Sequence, residues 1–101
     1  MIEPAPGFHG EYKMPGGKLV QVDFNIENGR LCDVEVSGDF FLYPEEALAG
    51  IVSALDGSAA DLETGVRAGM IAAAIPAGTE WLGSSPDGLA LAVERALQVH
   101  D

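Results

Sequence analysis

The sequence predicts an α+β domain: a three-stranded antiparallel meander, with room for a short edge strand, and about three helices packed on one face. Two observations carry this. Three segments with apolar residues at every second position come first, and three segments with apolar residues at helical spacing follow. The strand-helix-strand alternation that a parallel sheet requires is missing, so the helices gather on one side of the sheet.

The strands come in order. Phe8 to Met14 sets Phe8, Gly10, Tyr12 and Met14 on one face, and His9, Glu11 and Lys13 on the other. Lys18 to Ile26 groups Val20, Val22, Phe24 and Ile26, and Leu31 to Gly38 groups Cys32, Val34, Val36 and Gly38. Each alternation is that of a half-buried antiparallel strand. Between the first two strands lies Met14-Pro15-Gly16-Gly17, where Pro15 and Gly16 suit the central positions of a type II turn. Between the second and third, a two-residue Asn28-Gly29 loop would set apolar against acidic positions. A type I turn through Glu27 and Asn28, with Gly29 as a bulge, aligns the apolar faces instead. That register pairs Ile26 with Arg30, Phe24 with Cys32, Val22 with Val34 and Val20 with Val36. It points Cys32 into the core and sets Asp23 opposite Asp33 on an acidic, wet face.

Helix signals dominate the rest. Pro44 suits a first helical position, Glu45 and Glu46 suit the positive end of the helix dipole, and Leu48, Ile51, Val52 and Leu55 recur until Gly57 stops the helix. A second helix is expected from about Ala59 to Ala74, with Leu62, Val66, Met70 and Ala73 on its buried side. Its Gly65 and Gly69 would allow close approach to a neighbour. Thr79 to Leu82 reads as a short edge strand. Ser85-Pro86-Asp87 opens a last helix that buries Leu89, Val93, Ala96 and Leu97.

At 101 residues the chain is expected to be one domain spanning 1–101, with residues 1–7 a flexible lead. Sixteen acidic against five basic residues give a formal charge of −11, which argues against nucleic acid or an anionic membrane as partner. A lone cysteine suits a reducing compartment. The start of the chain lacks the basic and apolar regions of a signal peptide. The most apolar stretch, Gly69 to Ala77, is far shorter than the ~20 residues of a membrane helix. A cytoplasmic protein is expected.

The side chains that carry chemistry are few. Cys32, His9 and His100 fall at no metal-ligand spacing, so no metal is expected. An inward Cys32 is a poor thiolate. Asp39, after Gly38 and before Phe40 and Phe41, can accept backbone N–H bonds where the strand turns away, or serve binding. The turn Lys13-Met14-Pro15-Gly16-Gly17-Lys18 holds both lysines of the chain. Turn chemistry explains Pro15, Gly16 and Gly17 but not Lys13 and Lys18. Successive glycine N–H groups between two ammoniums would attract an anion, and spacing alone leaves that role and an ordinary hairpin equally open. No catalytic centre is legible.

Three motifs carry a resemblance: K-x-P-G-G-K-L, an N-G turn between two alternating strands, and G-D-F-F followed by x-x-P-E-E. In this order, over roughly residues 10 to 100, they resemble the accessory domain of lipoate–protein ligases, in the form of a stand-alone small subunit. Met1 and a self-contained fold suit that form. The resemblance implies a fold similar to that of iron–sulfur scaffold and sulfur-acceptor proteins. It implies a non-catalytic subunit needed for ATP-dependent activation of lipoate to lipoyl-AMP by a partner catalytic chain, and indirectly for loading lipoyl-carrier domains. No cofactor is bound by this chain alone on that reading; ATP, Mg and lipoate come through the partner. Lys13, Pro15, Gly16, Gly17 and Lys18 would bind phosphate or adenylate or meet the partner. Asp39, Phe40 and Phe41 would brace the hairpin or join the interface. The alternative is a sulfur-transfer or iron–sulfur assembly protein of the same fold, and the acyl group could be octanoate or another acid.

Overall fold

Residues 7–98 are described by a computed structural model. The expected flexible lead falls mostly on residues 1–6, and His100 near the other end; both lie outside the described residues. Strands β1 (Phe8–Lys13), β2 (Leu19–Glu27) and β3 (Arg30–Gly38) form an antiparallel sheet in that order. Helices α1 (Ala47–Leu55), α2 (Thr64–Ala73) and α3 (Pro86–Gln98) cover one face. Helix α3 lies on β1 and β2, α1 lies on β3, and α2 packs beside both helices. Val20, Val22, Phe24 and Leu31 from the sheet meet Ile51, Leu55, Ile71, Leu89 and Val93 from the helices in one core. The fold class expected from periodicity is the one observed.

Apolar residues at period two leave one face of the meander dry, and Gly10 lets α3 come close to it. A Cβ built on Gly10 would overlap the Ala92 carbonyl oxygen and stand 2.6 Å from the Ala96 nitrogen. The stacked rings of Phe8 and Phe24, 5.3 Å between centroids, extend this layer.

The second hairpin departs from the expected register. Glu27 pairs with Arg30, and Asn28 and Gly29 both take positive φ, 53° and 75°. This is a two-residue turn of type I′, which asparagine followed by glycine accommodates well. The compensating shift sits inside β3 instead. Asn25 pairs with Cys32 and Asp23 with Glu35, so Asp33 and Val34 together oppose Phe24, with Asp33 at φ 54°. Leu31 and Val34 are both buried, and their odd spacing on one strand requires a bulge between them. Val22 therefore faces Val36, and Val20 faces Gly38. Asp23 lies across from Glu35 rather than Asp33, still a like-charge pair on a wet face. Cys32, expected in the core, is turned out of it and lies half-buried, its Sγ 3.7 Å from a Glu27 carboxylate oxygen.

Two short strands, β4 (Phe41–Tyr43) and β5 (Glu80–Leu82), pair with each other as a second sheet. The Thr79–Leu82 segment is thus a strand as expected, but it does not join the edge of the meander. Helix α1 begins three residues after Pro44, through a tighter turn in which Ala47 N–H donates to the Pro44 carbonyl and Leu48 N–H to that of Glu45.

Helix α2 is shorter than expected and turns a different face inward. Arg67, Ala68 and Ile71 are buried, whereas Val66 is exposed. Gly65 and Gly69 face open space; the close approach between α1 and α2 is made at Gly50, against the Ala74 carbonyl. Arg67 is only 1% exposed and donates to the carbonyls of Ala59 (3.0 Å), Ala60 (3.3 Å) and Leu62 (3.4 Å). Burial lowers its pKa, while Glu94 and Asp61 oppose that shift. The segment it clamps also pairs with the start of β3, through Leu31 N–H to Ser58 and Ala60 N–H to Gly29. That pairing covers an otherwise open sheet edge.

Candidate functional site

The Met14–Gly17 turn is the type II turn that its sequence dictates. Gly17 N–H donates to the Met14 carbonyl at 2.8 Å, and Gly16 sits at φ 74°, open to glycine without a Cβ clash. The turn is docked rather than free. Lys18 N–H donates to the Gly83 carbonyl at 2.8 Å, and the Lys18 side-chain stem lies over Gly83, where a Cβ would come 2.6 Å from Lys18 Cγ. Met14 reaches the start of α3, its Sδ 3.5 Å from Ser85 Oγ. Ser85 Oγ in turn accepts from Gly88 N–H at 3.1 Å and caps the helix, as Ser85-Pro86-Asp87 predicts. The hairpin turn, the β5–α3 connection and the first turn of α3 thus make one surface.

On that surface Lys13 and Lys18 are both exposed, and neither forms a salt bridge with a carboxylate among the described residues. The three arginines have structural partners. Arg30 donates to the Gly57 carbonyl, Arg67 clamps the α1–α2 loop, and Arg95 lies over the Tyr12 ring while donating to the Glu11 carbonyl. Of the five basic side chains, the two lysines are therefore the ones with no side-chain partner among the described residues. The N–H groups of Gly17 and Lys18 are occupied within the fold, so the successive glycine N–H groups do not form an open cradle. Attraction for an anion at this turn rests on the ammoniums.

The Gly38-Asp39 bend comes to the same place. Asp39 N–H donates to the Leu19 carbonyl at 2.9 Å, next to Lys18. The two phenylalanines part ways: Phe40 stacks on Trp81 at 6.0 Å, while Phe41 is 63% exposed. Phe40 packs on β5 and Phe41 faces outward.

The opposite, wet face of the sheet holds His9 between two carboxylates. Its ring nitrogens lie 2.6 Å from Asp23 and 2.8 Å from Glu11, and these bonds raise its pKa, Glu11 more than Asp23. Cys32 shares this face. Desolvation and the charges of Asp33 and Glu27 raise its pKa, so the thiol stays protonated in an electronegative setting, the reverse of what a sulfur carrier needs. Among the described residues, no group of three or more His, Cys, Asp or Glu is arranged to hold a metal ion. No described helix is long and apolar enough to cross a membrane.

Sequence reasoning missed the Phe41–Tyr43 strand, although alternation of Phe41, Leu42 and Tyr43 before Pro44 carries a short strand signal. It also missed Arg67 as a core residue, because a lone arginine in a helix ordinarily reads as solvated.

The three-stranded meander backed by three helices has a counterpart among solved structures. A chain from the solved structure of an archaeal lipoylation system, a bi-partite lipoate protein ligase and its E2 lipoyl domain from Thermoplasma acidophilum, matches with a TM-score of 0.64. That match spans 91% of this chain and 97% of the other, at 21% identity. In sequence, the chain is similar to "Lipoate-protein ligase A subunit 2" of the same organism, 35% identical over 40 residues. The aligned part is 40% of this chain and 43% of the relative, less than half of its length. The sequence relative and the structural match both come from lipoate–protein ligase proteins of one organism. No family model matches the chain.

Proposed function

We propose that this chain is the accessory subunit of a two-part lipoate–protein ligase, required when a partner catalytic chain activates lipoate with ATP to lipoyl-AMP. The observation that carries the reading is the likeness in fold over nearly the whole of both chains, to a chain described with a bi-partite lipoate protein ligase. The sequence relative, named as subunit 2 of such a ligase, supports it. On this reading the chain acts in the cytoplasm, carries no catalytic residue, and leaves ATP, Mg and lipoate to the partner. Lipoyl-carrier domains are met through the partner as well.

Lys13 and Lys18 supply positive charge to the phosphates of the nucleotide or adenylate, or pair with carboxylates of the catalytic chain. Two exposed ammoniums on a turn with a docked backbone suit either task, because the backbone that carries them needs no reordering on binding. Reconstitution tests the proposal. The ligase-like catalytic chain from the same genome, mixed with this chain, should release pyrophosphate from ATP in a lipoate-dependent manner. A rate that this chain never raises sinks the reading. Running the assay with lipoate and octanoate side by side settles the acyl preference.

A further inference from the structure

Large apolar side chains exposed among the described residues are not scattered. Phe41 (63% exposed), Tyr43 (54%) and Leu82 (49%) stand together, and only Val66 on α2 lies elsewhere. The register of the small sheet explains the grouping. Phe41 faces Leu82 and Tyr43 faces Glu80, while Leu42 and Trp81 alternate inward. The outward face is thus a two-by-two block, three parts apolar. Beside it a groove of about 290 Å³ opens between the end of β3, β4 and the start of α1, lined by Val36, Phe40, Phe41, Leu42, Glu45 and Leu48. An exposed apolar patch next to an apolar groove is the form of a docking surface.

The charges around it select the occupant. Asp39, Glu45, Glu46 and Glu80 are all exposed at its margin, and Lys18 on the docked turn adjoins it through Gly83. A second copy of this chain would set these acids against their own counterparts, with −11 on each molecule. An anionic surface is repelled for the same reason. We infer that the Phe41–Tyr43–Leu82 face docks a partner surface with an apolar anchor at its centre and lysines or arginines around it, and that the catalytic chain of the two-part ligase presents that surface. The inference rests on the accessory-subunit reading and adds where the two chains meet. The anchor enters the groove against Phe40, Leu42 and Leu48, and Glu45 and Glu80 receive the basic rim. The cationic turn, contiguous through Gly83, is thereby held toward the partner.

Titration calorimetry with the catalytic chain tests the inference. The double variant Phe41→Ser/Leu82→Ser should weaken binding by about 30-fold or more, as loss of a central anchor does. Val66→Ser, an equally exposed apolar residue on α2, should change it less than about 2-fold. Glu45→Lys should weaken binding and flatten its dependence on salt. Because the altered side chains are exposed, their thermal melts should match the unmodified chain. A double variant that binds as tightly as the unmodified chain overturns the inference and leaves the accessory reading standing. An unmodified chain that does not bind the catalytic chain at all overturns both. A dimer by light scattering that Phe41→Ser dissolves assigns the face to a second copy and also overturns it.

Discussion

Gly10→Ala tests how α3 is seated on the sheet. The new methyl group would overlap the Ala92 carbonyl oxygen and stand 2.6 Å from the Ala96 nitrogen and 2.8 Å from the Ala96 methyl. Ordinary contact is about 3.5 Å, so α3 must retreat by about 1 Å. The atoms in the way are helix backbone, which cannot rotate aside as a side chain can. A retreat of that size loosens Leu89, Ala92, Val93 and Ala96, each fully buried. Overpacking of this kind costs about 1–3 kcal/mol, and an obstacle made of backbone places Gly10 at the upper end. Alanine stiffens the unfolded chain and returns about 0.5–1 kcal/mol. The net loss is then about 2 kcal/mol, or roughly 8–16 °C in Tm for a domain of this size. Gly65→Ala is the control, since its methyl group meets nothing within 4 Å. In the first turns of α2 it should gain about 0.5–1 kcal/mol. Urea melts followed by far-UV circular dichroism read both. If Gly10→Ala lies within about 0.5 kcal/mol of the unmodified chain, the close seating of α3 on β1 is wrong.

Other perturbations address the site and the charges. Arg67→Met should destabilise by about 3 kcal/mol in the same melts, because the carbonyls of Ala59, Ala60 and Leu62 lose a charged donor; a neutral result would show that the clamp is dispensable. Lys18→Glu should lower lipoate-dependent pyrophosphate release by about 10-fold or more, while transfer from preformed lipoyl-AMP stays nearly intact and the melt is unchanged. Equal loss in both half-reactions would place Lys18 elsewhere in the cycle. Cys32 should react slowly with iodoacetamide at pH 7 and faster as pH rises past the ordinary thiol value of 9.0, since its pKa is raised; rapid labelling at pH 7 would contradict the electronegative setting. For His9, the bonds to Glu11 and Asp23 favour the imidazolium and raise its pKa above 6.5 in the folded state. The stability that it contributes is fully present below pH 6.5 and is lost as pH rises through the higher folded value. The gap between the unmodified chain and His9→Gln should therefore close above that value, and a gap that widens with pH would refute the assignment. His9 is 46% exposed, so the gap should be small and should shrink further in salt.

Periodicity alone determined the class of fold. Alternation in Val20, Val22 and Phe24 and helical spacing in Leu89, Val93 and Ala96 are local properties of the chain, and each burial follows from them. The same holds for the first turn, since proline followed by glycine fixes its own backbone angles. What tertiary packing decided is what two distant segments settle between them. Leu31 and Val34 can both reach the core only if β3 bulges at Asp33, and that turned Cys32 out of the core. Arg67 is buried because the carbonyls of the α1–α2 loop converge on it, which no pattern within α2 can announce. Phe40 and Phe41 are neighbours in sequence, yet one stacks on Trp81 and the other faces outward, because β5 arrives about forty residues later to pair with β4. The sequence placed two lysines on one turn. Only the packed structure shows that the three arginines are engaged while those lysines form no salt bridge among the described residues, because partners are a property of the folded surface and not of spacing along the chain.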